Sequence, residues 1–269
     1  MRSFTSLLLL GSSLTIAACA SKADTATDDS AETAIDSTDS TSSEGNIMMA
    51  AVDGSDQSSF TAVSVSAQVS ANLSARFTPA SCVVVTPTAT TIEAVFTDCT
   101  GPYGLVHVTG ELDLSVSVST QGTITVHGVS SDLKVGGSDL EVDATATYSS
   151  QGPSHTLTVT TKGSGTGPRG NPVDHDGSYT VTWDSSSQCR SLMGEWSTEL
   201  GSLTRSNEVD VTQCGTSCPT GTIVHKFLGG KQLTITFDGS ATASWVLAGA
   251  IGSTTATTSG TVALSCQAQ

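Results

Sequence analysis

The chain has 269 residues with 25 acidic against 10 basic side chains, a formal net charge of −15. That balance excludes a nucleic-acid binder, which needs a basic surface to displace counterions, and a peripheral grip on anionic lipid headgroups. Charged residues make up only 13% and aromatics 4%, while Ser, Thr, Gly and Val dominate. This is the composition of a β protein with hydroxyl-rich wet faces.

Met1-Arg2 supplies a short positive end, followed by apolar residues 7–10 and 14–18. The stretch is too short to cross a bilayer as a helix, which takes about 20 apolar residues. It has the length and flanks of a cleaved export signal. Its end, Ile16-Ala17-Ala18-Cys19, resembles the lipobox of bacterial lipoproteins: a branched apolar residue, two small ones, then Cys. The resemblance implies a signal peptide at 1–18 and lipid on Cys19, a diacylglycerol plus an amino-terminal acyl chain such as palmitate. Each buried CH₂ contributes roughly 0.8 kcal/mol, so two or three chains make a lasting membrane anchor. In that class an Asp directly after the Cys favours the inner membrane. Ala20-Ser21 stand there instead, so the expected address is the outer membrane of the cell envelope, with the facing side open.

Residues 20–50 read as a disordered acidic tether after the lipidated Cys19. Asp24, Asp28, Asp29, Glu32, Asp36, Asp39 and Glu44 are padded with Ser, Thr and Ala, without apolar periodicity. Such a segment buries too little apolar area to offset its ordering entropy. As flexible chain it spans roughly 30 Å and lifts the domain off the membrane.

Residues 51–269 read as an all-β domain. From about residue 60 the pattern has period two: Val63, Val65, Ala67, Val69, Ala71 and Leu73 alternate with polar residues. Leu112, Leu114, Val116 and Val118 do the same, as do Leu140, Val142, Ala144, Ala146 and Tyr148. Alternation puts one face on a core and the other in water, which points to antiparallel strands. Between two runs, Thr120-Gln121-Gly122 fits a three-residue hairpin with Gly122 left-handed, so that Val118 opposes Ile124 and Val116 opposes Val126. Residues 151–154 keep Tyr148 and Leu157 on one face, and Asp238-Gly239 marks another turn. No stretch of helical length shows a 3.6 period; the nearest is residues 190–200, weakened by Gly194. The expected fold is an antiparallel β-meander forming a sandwich, an open barrel or a long curved sheet. Residues 163–177, rich in Gly and Pro, read as a long loop and a possible subdomain boundary.

Seven cysteines occur. With Cys19 taken by lipid, Cys82, Cys99, Cys189, Cys214, Cys218 and Cys266 remain, an even number in an oxidising compartment, and read as three disulfides. Cys82 is expected to pair with Cys99, bracketing a short stretch with a turn at Pro87. The other four make two bridges within residues 189–269, their pairing open. Cys214-Gly-Thr-Ser-Cys218 lacks a second ligand pair at the spacing zinc requires.

No pattern reaches the level of a reaction. Residues 163–167 (Gly-Ser-Gly-Thr-Gly) carry Gly where a nucleophile elbow needs Ser. A Walker-type phosphate loop is absent, and nothing points to a cofactor. His127 and His107 fall on solvent faces, and His155, His175 and His225 sit in no motif. The best local set is Asn171, Asp174 and Asp176, a weak calcium candidate in a Gly/Pro-rich segment; Asp-x-Asp-Gly is equally ordinary turn chemistry. Trp183, Trp196 and Trp245 could form a carbohydrate platform or a core.

Cys99-Thr-Gly101-Pro102-Tyr-Gly104, Cys214-Gly-Thr-Ser-Cys218-Pro219-Thr-Gly221 and the closing Leu264-Ser-Cys266 together resemble uncharacterised β-rich envelope lipoproteins of Gram-negative bacteria. That resemblance implies the class and no activity. The expectation is therefore a non-enzymatic envelope lipoprotein, structural or binding, held to the membrane through Cys19, with its protein or glycan partner unspecified. An adhesin or glycan-binding module, with aromatics grouped on an exposed face, is one alternative. A hydrolase on a β scaffold is the other, and needs a His, a carboxylate and a hydroxyl converging in a pocket.

Overall fold

A computed structural model describes residues 20–53, 61–184, 187, 189–200, 203–215, 217–227, 231–251, 254–264 and 266. The expected export signal and Cys19 lie outside the described residues. Two helices come first: α1 (Ala20–Val52) and α2 (Ala62–Arg76). Thirteen strands follow: β1 (Val83–Pro87), β2 (Thr91–Cys99), β3 (Val108–Val118), β4 (Ile124–Val135), β5 (Ser138–Gln151), β6 (Ser154–Thr166), β7 (Pro172–Asp184), β8 (Cys189–Leu200), β9 (Leu203–Cys214), β10 (Thr220–Lys226), β11 (Gln232–Asp238), β12 (Thr242–Ile251) and β13 (Thr254–Ala263). They form one sheet in strict chain order, each antiparallel to the next. The expected all-β meander is what the chain builds, as a curved sheet that does not close.

The hairpin arithmetic holds residue by residue. Val118 faces Ile124 and Val116 faces Val126, with Gly122 at φ +83°, and Tyr148 faces Leu157. The alternating residues Leu112, Leu114, Val116, Leu140, Val142, Ala144, Ala146 and Tyr148 are all buried. Cys82 is bonded to Cys99, Cys189 to Cys214 and Cys218 to Cys266. The second bridge clips β8 to β9, and the third ties the entry of β10 to the exit of β13.

Residues 163–177 are not a long loop. β6 runs to Thr166 and β7 starts at Pro172, and the two stay paired from Ser154↔Asp184 to Thr166↔Pro172. The sheet is continuous through the expected boundary. Gly170 turns the chain at φ +86°, while Gly163 and Gly167 serve close approach. A methyl on Gly163 would lie 2.7 Å from His175 Nε2, and one on Gly167 2.4 Å from the Asp36 Cβ.

The largest departure is α1. The segment expected as a disordered tether is a helix, and from Ala31 onward most of it is buried. It touches β4, β5, β6, β7, β10 and β13, which a flat sheet could not arrange; the sheet curls around it. Arg169, in the β6–β7 turn, reaches the Ala263 carbonyl at the end of β13 (3.1 Å) and so bridges distant strands. The entropy argument failed because it left the acidic side chains in water. Here strands β6 and β7 supply donors to Glu44, and the turn between them supplies donors to Asp36. Thr38 and Thr41 bond back to the carbonyls of Ala34 and Ser37, a satisfaction available to hydroxyls within a helix.

α2 replaces the strand expected from residue 60. Its buried residues include Val65, Val69 and Leu73, four apart, a spacing nested inside the period-two series. A capping box between Thr61 and Ser64 starts the helix, and it packs on β1, β2 and β3. Conversely, residues 190–200, the nearest to a helical pattern, lie in β8.

Candidate functional site

The β2–β3 connection begins at a pinned point. Cys99 is bonded to Cys82, and Gly101 donates to the Leu105 carbonyl (2.8 Å). Three non-glycine residues near it take left-handed backbone: Asp98 (φ 49°), Tyr103 (φ 61°) and His107 (φ 52°). Such conformations cost energy and persist only where surroundings enforce them. Tyr103 is enforced through its hydroxyl, which donates to Asp53 Oδ2 at the end of α1. Arg76 of α2 grips the same residue, pairing with the Asp53 carboxylate and donating to its carbonyl (2.8 Å), and Trp183 Nε1 donates to Oδ1 (3.1 Å). Burial alone would push the Asp53 carboxyl up; the hydrogen bonds from Tyr103, Arg76 and Trp183 outweigh it and hold the group below its ordinary value. Burial and the Asp53 hydrogen bond push the Tyr103 phenol well above its usual range.

This loop walls a cavity of about 260 Å³ between α1 and the inner face of the sheet. Tyr103 to Val106 form one side; Gln213 and Pro219 form a second; Leu264 and Cys266 form a third. These are the three cysteine-flanked stretches that stand out in the sequence, and all three disulfides end in them. α1 contributes Thr38, Asp39, Ser42, Ser43 and Asn46, a polar stripe at helical spacing, and Asn46 Nδ2 donates to the Tyr103 carbonyl (3.3 Å). Leu105, Val181, Leu192, Val211 and Phe237 supply apolar wall.

Arg190 lines this cavity from β8. It sits in phase with Leu192 and Trp196 on the inward face and is only 6% exposed. Its NH2 donates to Gln213 Oε1 (2.7 Å), and Gln213 is oriented in turn by donating Nε2 to the Ser217 carbonyl (2.8 Å). NH1 is buried with no hydrogen-bond partner among the described residues. Burial pushes the guanidinium down to about 10, against an opposing influence from the Tyr103 hydroxyl. Among the described residues no carboxylate offsets the charge. The second cation at the cavity, Arg169, is neutralised: NH1 meets Asp36 Oδ1 at 2.8 Å and Asp39 Oδ2 at 3.4 Å.

A second buried cluster has the groups a hydrolase would need, in the wrong order. Tyr179 OH donates to Glu44 Oε1 (2.6 Å), Thr161 Oγ1 to Oε2 (2.9 Å), and His175 Nε2 lies 3.1 Å from Oε2. The carboxylate is the hub. In a nucleophilic triad the His stands between hydroxyl and carboxylate. Here both hydroxyls bond Glu44 directly, and Glu44, Thr161, His175 and Tyr179 are all buried.

The remaining expected positions are dispersed. Asn171 lies in the β6–β7 turn with Nδ2 donating to Asp36 Oδ2 (3.0 Å), while Asp174 and Asp176 alternate with buried Val173 and His175 and so face outward from β7. The calcium candidates are therefore not brought together, because β7 is strand where a loop was expected. Among the described residues no three His, Cys, Asp or Glu side chains cluster as metal ligands. Trp183, Trp196 and Trp245 are all buried. His107 pairs with Asp98 and His127 with Asp143 on the outer surface. Among the described residues no helix is long and apolar enough to cross a membrane.

The sequence reading passed over Arg190. A usable signal was present: once Leu192 and Trp196 are placed on the core face, an Arg two residues earlier falls on that face as well. Comparison of the chain with protein-family models, curated proteins and solved structures finds no match.

Proposed function

We propose that the protein is a membrane-anchored envelope lipoprotein whose folded part is a non-enzymatic binding module, with the Arg190 cavity as its binding site. The observation that carries this is a buried guanidinium on the cavity wall, bonded to Gln213 through one arm, with the other arm unpartnered among the described residues. Burying an ion costs several kcal/mol, and a purely structural arginine would have its charge and donors met. Three disulfides suit an oxidising compartment, and Ile16-Ala17-Ala18-Cys19 supports the address. The glycan-binding alternative required exposed aromatics, and the three Trp are buried. The hydrolase alternative required a His, a carboxylate and a hydroxyl converging in a pocket; the set that converges, His175, Glu44, Thr161 and Tyr179, is buried with the carboxylate as its hub.

Mass spectrometry of the mature chain tests the anchor. The expected start is Cys19 carrying diacylglycerol and an amino-terminal acyl chain. Cys19→Ser is expected to abolish lipid labelling while the three bridges still form. An unmodified start at another residue would overturn the anchored reading.

A further inference from the structure

We propose that β13 is a self-pairing edge: the outer edge of Thr254–Ala263 joins the same strand of a second copy, antiparallel about a two-fold axis, and makes one sheet from two. This goes beyond the binding-module reading and does not rest on it.

A meander that does not close leaves two edges, β1 and β13. An exposed edge is a template for another strand, and proteins blunt it with short length, proline, charge or a covering helix. β1 has three of these: it is five residues long, ends at Pro87 and has α2 packed on it. β13 runs ten residues without a proline or a charged side chain. Of the two helices, α1 touches it from within the curl and α2 packs at the opposite edge. The strand is also held ready. Its register with β12 is unbroken from Thr242↔Ala263 to Ile251↔Thr254, Val262 is buried, and the Cys218–Cys266 bridge pins its exit. A strand ordered beforehand loses little entropy on pairing. Arg169 takes the Ala263 carbonyl (3.1 Å), so the seam ends there.

Charge selects the occupant. At a net −15, two copies repel over most of their surface. From Ser240 to Gln269 there is no Asp, Glu, Lys or Arg. That stretch holds β12 and β13, so the sheet ends in a charge-free hairpin where a like-charged copy can approach. Thr257, Ser259 and Thr261 on the outer face of β13 are exposed, as are their β12 neighbours Ala248, Val246 and Ser244. A basic partner would be drawn to the acidic strands instead. Antiparallel pairing of a strand with itself is isologous, so one axis satisfies both edges. The blunted β1 bars the head-to-tail β13–β1 contact that would build a filament, and the assembly stops at two copies.

The test is native mass spectrometry and hydrogen exchange on the full oxidised chain in detergent. The expected species is a dimer that dissociates on dilution, with amides of residues 254–262 exchanging more slowly in the dimer and those of β1 unchanged. Thr257→Lys combined with Ser259→Lys sets like charges across the seam of a pairing centred on the strand, which is unfavourable. Both positions are exposed, so the three bridges and the unfolding midpoint of the monomer are expected to persist while dimer affinity falls at least tenfold. A native chain still monomeric at about 0.1 mM, where even a weak interface would show, overturns the proposal. So does a dimer whose β13 amides exchange as in the monomer, a lysine variant that dimerises within twofold of the native chain, or growth beyond two copies. A foreign chain found shielding β13 overturns the assignment to a second copy. The exchange comparison uses the native chain alone and decides the matter even if the variant fails to fold.

Discussion

The two sides of α1 treat buried charge in opposite ways. Toward β6, β7 and α2, its carboxylates are saturated: Asp36 by Arg169 and Asn171, Glu44 by Thr161, His175 and Tyr179, Asp53 by Arg76, Tyr103 and Trp183. Toward β8 and β9, a buried guanidinium has one arm held by Gln213 and the other unmet. A saturated buried ion fixes a helix that has too little apolar surface to fix itself. An unsatisfied one weakens the fold, because its desolvation is not repaid. The saturated carboxylates and the unmet guanidinium follow the same rule with opposite outcomes.

Truncation should expose the contrast most sharply at Glu44. Glu44→Ala leaves His175, Thr161 and Tyr179 without their shared acceptor, so a loss of about 3–5 kcal/mol is expected in denaturant unfolding, with α1 released. A loss under about 1 kcal/mol would mean the cluster does not hold the helix. Arg190→Met should move stability the other way. Replacing an unmet buried charge by an apolar side chain of similar length is expected to be neutral or stabilising by about 1 kcal/mol or more, seen as an equal or higher denaturation midpoint. A pronounced loss would mean that Arg190 is a structural arginine.

The smallest effect is in acid. The Asp53 carboxyl is held below its ordinary value of 3.8 in the folded chain. A group with a depressed folded pKa contributes stability that is fully present above the unfolded value and is lost as pH falls through the folded one. The native chain should therefore lose stability below pH 3.8 more steeply than Asp53→Asn, as read by unfolding midpoints across pH. Parallel curves would remove Asp53 from the set of clamps.

What the sequence made legible was what depends on neighbours. Alternation and turn chemistry set the Val118↔Ile124 and Tyr148↔Leu157 registers. The Cys82–Cys99 bridge spans only 17 residues. What it hid depends on distant partners. Asp36 and Glu44 look like solvated charges until Arg169, His175 and Tyr179, more than a hundred residues on, are brought beside them. α2 was hidden differently: Val65, Val69 and Leu73 satisfy both a four-residue spacing and strict alternation. The Gly-rich stretch after Gly163 misled because glycine serves close approach as readily as turning, and only His175 and Asp36 reveal which. The three cysteine-flanked stretches were visible as motifs, but nothing local says that they converge on one cavity.

Everything rests on an acidic, serine-rich segment lying inside a curled sheet. Hydrogen-exchange mass spectrometry on the oxidised full chain measures that directly. The account predicts that amides of residues 31–52 exchange as slowly as those of β5, β6 and β7. Exchange of that segment at the rate of free chain, with the strands protected, would contradict it and return residues 20–50 to the role of a tether.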